Sequence, residues 1–207
     1  MPKALLVLLT AVVATAAVVA GVVLARSPDE PDDDLPAYES TPLAAFDTAG
    51  VAVNRNTFCD AVPDEAVAEA LGDEPASASS YGNGDQARLG AGLRDVAHEF
   101  GCGWSAPSAT VRAWVFAPPV TPRSARELAR AARAEDGCEP VADAPDFGIP
   151  SAAVVCDEGR RPMASYRGLF GDAWLTCTLT AASDVPRTEL TDRAGRWCVA
   201  VVKAARG

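Results

Sequence analysis

Cysteine and histidine are the residue types here best suited to covalent chemistry, and one short stretch holds both. In HEFGCGWSAP, residues 98–107, the single histidine, His98, precedes Cys102 by four positions. A thiol nucleophile with an imidazole base needs the two groups within hydrogen-bond reach. It also needs a cation or a helix N-terminus to hold the thiolate. The local pattern supplies neither. His98, Phe100, Cys102 and Trp104 alternate with Glu99, Gly101 and Gly103, which is the period of a half-buried strand. Four residues along a strand span about 13 Å, and an apolar face raises a thiol pKa. A dyad would require a helix, which Gly101 and Gly103 oppose. The expected state of Cys102 is a disulfide, and a thiol enzyme is the weaker alternative.

Other reactive constellations are thin. Cys59, Cys102, Cys138, Cys156, Cys177 and Cys198 include no C-x-x-C pair and no paired Cys/His spacing for zinc. No Ser-His-Asp order or phosphate loop is present, so neither a metal nor another cofactor is expected. Carboxylates are plentiful, but no pair has a spacing that fixes a general acid and base for glycan hydrolysis. Asp146-Phe147-Gly148 invites comparison with a kinase. No catalytic loop or glycine-rich loop accompanies it, and a proline-flanked turn is the reading. Two features point to ligand contact instead. Arg123, Arg126, Arg130 and Arg133 recur at steps of three and four on one side of a predicted helix. Such a row can face solvent or dock an anionic partner: lipid headgroups, envelope polysaccharide or the chain's own acidic segment. Trp104, Trp114 and Trp197 read as core residues. Trp174 shares a strand face with Thr176 and Thr178 and is the tryptophan expected to be exposed for stacking on a ligand.

The elements that would position these residues follow from pattern and punctuation. Ala4–Ala25 carries no charge over 22 residues, about 33 Å as a helix, enough to cross a bilayer. Residues 1–3 form a cytoplasmic stub, and Lys3 before the span sets the N-terminus inside. The apolar run exceeds a typical signal-peptide core, so an uncleaved signal-anchor is expected, with cleavage near Ala25 as the alternative. Residues 26–40 hold prolines and six acids and read as an extended, disordered spacer. Residues 41–207 are of one-domain size. An acidic chain, net charge −10, is a poor nucleic-acid binder.

Within that domain, Pro63 to Gly72 reads as a helix bounded by its proline and glycine. EPASASSYGNGDQARLGAG reads as a long loop. HEFGCGW and TVRAWVFA read as a strand pair. TPRSARELARAAR is the clearest helix, with Thr121 as cap or, alternatively, a capping box of Ser124 with Glu127. SAAVVC, PMASYRGLF and DAWLTCTLT are strands, and Leu190, Ala194, Trp197, Cys198 and Val201 mark a closing helix. The expected fold is α+β: a mainly antiparallel sheet of about five strands with three helices packed on it. Six cysteines on the outer side of a membrane imply three disulfides, and they allow 15 connectivities. Sequence alone does not select one. The layout suggests Cys177–Cys198 as a staple between the last strand and the last helix. Cys138–Cys156 would close a doubled-back loop, and Cys59–Cys102 takes the remaining two.

A resemblance is carried by Cys59 opening a short helix that ends Ala70-Leu71-Gly72, followed by Cys102-Gly103-Trp104. The chain resembles exported actinobacterial envelope domains of unknown function. Those are common as lipoproteins in mycobacteria and streptomycetes and are similar to the extracellular sensor domains of mycobacterial serine/threonine kinases. A strong bias to arginine over lysine and abundant alanine agree with such a source. The likeness covers most of residues 55–205 loosely. This chain departs from it in having no lipobox cysteine and no kinase domain, and no catalytic residue carries over. The expectation is a membrane-anchored extracytoplasmic domain that binds, senses or scaffolds, and is not an enzyme. The alternative is a carboxylate-based hydrolase of envelope glycan.

Overall fold

Period-two alternation marks Glu99–Ser105, Thr110–Phe116 and Ala173–Thr180, and all three fold into sheet. The computed structural model describes residues 38–88, 93–158 and 161–206. The expected membrane span at 4–25 and most of the spacer at 26–40 lie outside these. Among the described residues no helix is long and apolar enough to cross a membrane. Tyr38–Gly207 forms one unit, with strands β1 (Ser77–Tyr81), β2 (Gln86–Arg88), β3 (Arg94–Val96), β4 (Glu99–Ser105), β5 (Thr110–Phe116), β6 (Cys138–Pro140), β7 (Ser151–Glu158), β8 (Arg161–Phe170) and β9 (Ala173–Thr180). The helices are α1 (Asp64–Leu71), α2 (Pro122–Arg133) and α3 (Arg187–Ala205).

The fold is α+β with three helices, and the large sheet has seven strands where about five were expected. Its order is β1-β4-β5-β9-β8-β7-β6, with every neighbour antiparallel, while β2 and β3 form a separate two-stranded ribbon. The two additional strands of the large sheet are its edges. β1 lies in the serine-rich stretch read as loop, and β6 lies in the proline-rich stretch after α2. Neither carries the apolar alternation that marks a half-buried strand, because an edge has less to bury.

One face of the sheet is covered by α1 and α3. Val111, Ala113 and Val115 of β5 and Leu175, Cys177 and Leu179 of β9 meet Val67, Leu71, Leu190, Trp197 and Val201 in one core. Burying each such leucine contributes about 1.5–3 kcal/mol. The Trp197 indole N–H donates to the Arg112 carbonyl at 3.3 Å, and its ring meets Trp104 edge-on at 5.5 Å. The opposite face carries α2, but only over one end. There Ala125, Ala129 and Ala132 lie on Ala152, Leu169 and Trp174. Thr121 caps α2 by accepting the Ser124 N–H at 3.2 Å, with Pro122 at the first helical position.

The Asp146-Phe147-Gly148 turn plugs the sheet's side. Phe147 is fully buried and meets Phe170 and Tyr166 edge-on, with ring centroids 4.9 and 6.3 Å apart. Gly168 makes this possible, since a Cβ there would overlap the Phe147 carbonyl oxygen.

Candidate binding surface

All six cysteines are oxidised in pairs: Cys59–Cys102, Cys138–Cys156 and Cys177–Cys198, the three pairs set out from the layout. The Cys102 sulfur is therefore bonded to Cys59 and offers no thiolate. His98 is exposed ahead of β4. Glu135 stands near the Cys138 and Cys156 sulfurs, all within 4.8 Å. Sulfurs joined to each other are not thiolates and do not form a metal ligand set with it.

Two tryptophans differ from expectation. Trp174 is not a ligand platform: it is 2% exposed. Alternation correctly sets it on the face opposite Leu175, but α2 lies on that face and seals it. Trp114 is only half-buried, and the Arg112 guanidinium sits 5.6 Å from its ring.

The arginine row does lie on the outer side of α2. Helical periodicity buries Ala125, Ala129 and Ala132 and leaves Arg123, Arg126, Arg130 and Arg133 exposed. The four are not equivalent. Arg123 pairs with Glu127 at 3.4 Å, one turn on. Arg126, Arg130 and Arg133 instead line a groove of about 460 Å³ with Ala129, Asp146, Pro150 and Ser151. Arg133 donates to the Ser151 carbonyl, and Ser151 Oγ donates to Asp146 at 3.3 Å, so the groove's far wall is fixed. Arg130 donates to the Arg126 carbonyl at 3.3 Å. Among the described residues no carboxylate forms an ion pair with Arg126, Arg130 or Arg133, whereas Arg55, Arg167, Arg187, Arg193 and Arg196 each have one. Three adjacent cations on an acidic domain make a local positive field suited to oxyanions.

A second polar cluster occupies the part of the same face that α2 leaves open. Tyr81 donates to Glu99 at 2.6 Å, and its ring lies over Gly101, where a Cβ would clash with it. Burial, then the hydrogen bond to Glu99, pushes the Tyr81 phenol up. Burial also raises the Glu99 carboxyl, against the opposing pull of the Tyr81 hydroxyl and the Arg112 charge. Tyr81 was hidden in the stretch read as loop. The readable signal was the β4 alternation, which sets Glu99, Gly101 and Gly103 on one side, and the β5 alternation, which sets Arg112 and Trp114 on one side. With Gly101 beside Trp114 in the register, these make one polar face.

No protein-family model matches this chain, and a search of curated proteins finds no match either.

Proposed function

We propose that this is a non-enzymatic, extracytoplasmic binding domain of an actinobacterial cell envelope, tethered to the membrane through residues 4–25. Its α2 groove docks the oxyanions of an anionic envelope component. The observation that carries this reading is the trio Arg126, Arg130 and Arg133, which form no ion pair among the described residues and line one groove with Asp146 and Ser151 on an otherwise acidic chain. The disulfides support the compartment, because they persist in oxidising surroundings. On the same reading, the tether brings the domain to a membrane surface that carries anionic headgroups. Guanidinium groups suit phosphate and carboxylate through paired N–H donors.

The test is flotation of the exported domain with phosphatidylglycerol vesicles, beside direct binding to soluble polyphosphate. Each basic residue near an anionic surface is worth about 1 kcal/mol, so Arg126→Gln/Arg130→Gln/Arg133→Gln should weaken the favoured interaction by about a hundredfold. Vesicle binding without polyphosphate binding identifies the lipid headgroup as the source, and the reverse identifies a soluble polyanion. Equal behaviour of the wild type and the triple variant in both arms rejects the reading.

A further inference from the structure

The edge of the large sheet carries a second surface, independent of α2. The Ala106 N–H donates to the Ala109 carbonyl at 2.9 Å, and the Ala117 N–H donates to the His98 carbonyl at 2.9 Å. Continued along the β4–β5 register, these bonds send the backbone groups of even-numbered β4 residues toward β5. The odd-numbered ones face β1, so β1 bonds β4 through Ser77, Ser79 and Tyr81. The backbone N–H and C=O of Ala78 and Ser80 therefore point outward. Among the described residues no strand pairs with that side. β1 is exposed along Ser77–Ser80 and contains neither proline nor lysine, two residues that blunt an edge.

Grooves flank this edge on both faces. On the α3 side Ala78 and Ser80 share a groove of about 330 Å³ with Asp60, Asp64 and Trp104. On the opposite side Ser79 and Tyr81 share one of about 510 Å³ with Gln86, Arg88 and Arg112. A strand added to β1 would send alternate side chains into the two grooves, one acidic and one basic. We propose that β1 takes up an extended peptide of a partner protein as an added strand. Its cationic side chains, at every second position, enter the Asp60–Asp64 groove. The acidic side chains between them enter the Arg88 groove.

Strict alternation is what the geometry demands, and it can be tested without knowing the partner. The probe is a fluorescein-labelled peptide in which lysine and glutamate alternate. The control has the same length and composition, with lysines and glutamates in blocks of two. Fluorescence polarisation at low salt should show the alternating peptide binding about tenfold tighter, the product of a few exposed ion pairs. Ser80→Pro removes an outward N–H that β4 does not use, a substitution tolerated on an edge. It should abolish the preference while the thermal unfolding transition persists. Arg88→Glu, on an exposed side chain of β2, should reduce the preference without touching the β1 backbone. Equal affinity for the two peptides, no binding of either, or full preference retained in Arg88→Glu overturns the proposal. Loss of α2 binding in the triple arginine variant, with the peptide preference intact, separates this surface from the oxyanion groove.

Discussion

Removing the Cys177–Cys198 bond is the sharpest test of how the core is held. The bond joins β9 to α3, both sulfurs are fully buried, and the cysteines are 21 residues apart. Closing a loop of that length restricts the unfolded chain by about 3 kcal/mol. Cys177→Ala/Cys198→Ala also leaves a void where two sulfurs packed, for about 1–2 kcal/mol more. The expected loss is about 4–5 kcal/mol, a large share of the 5–15 kcal/mol typical of a whole domain. Urea unfolding of the double variant, followed by tryptophan fluorescence, should show the midpoint falling with little change in slope. The contacts of Leu190, Trp197 and Val201 remain, so α3 should stay docked in the native state. A loss below about 1 kcal/mol would show that these apolar contacts alone hold α3 and would refute the assignment of a staple.

Three further outcomes follow from the packing and electrostatics. Trp174→Ala should cost about 3–5 kcal/mol, as a buried aromatic does, measured by thermal unfolding; an exposed stacking residue would cost almost nothing. Gly168→Ala should destabilise by more than about 1 kcal/mol, because the added methyl meets the Phe147 carbonyl and must displace that turn. A melting temperature equal to that of the wild type would contradict the contact. Burial raises the Glu99 carboxyl above its ordinary value of 4.5. Its proton-linked contribution is thus fully present below that value and is lost as pH rises through the folded pKa. Relative to Glu99→Gln, the wild type should therefore gain stability as pH falls from neutral, and parallel urea midpoints across that range would count against it.

How much was legible follows the physics of each signal. Period-two alternation in HEFGCGW and DAWLTCTLT identified strands and their two faces, because residues at alternate positions share one side of a strand. The cap at Thr121 and the alanine stripe of α2 were equally readable, since both are local. β1 was not readable: Ser77–Tyr81 is an edge strand held by backbone bonds to β4, and its small polar side chains bury little. Trp174 failed for a different reason. Its face was read correctly, but whether a sheet face is open depends on where α2 comes to rest, and that is set by tertiary packing rather than by the strand's own pattern. The Tyr81–Glu99 bond joins residues 18 apart and depends on the β1–β4 register, which no local pattern encodes. The arginine row was visible as a row. The Arg123–Glu127 pair follows from i,i+4 spacing within α2, whereas the groove that the other three share with Ser151 depends on where the Asp146–Gly148 turn lies.

The most direct test of the oxyanion site is to follow the arginine side-chain Nε–H signals by NMR during titration with polyphosphate. Binding at the α2 groove predicts that Arg126, Arg130 and Arg133 shift together and saturate with one affinity, while Arg187 and Arg196, each held by a carboxylate, move little. Shifts spread evenly over all the arginines, or none at this groove, would contradict it.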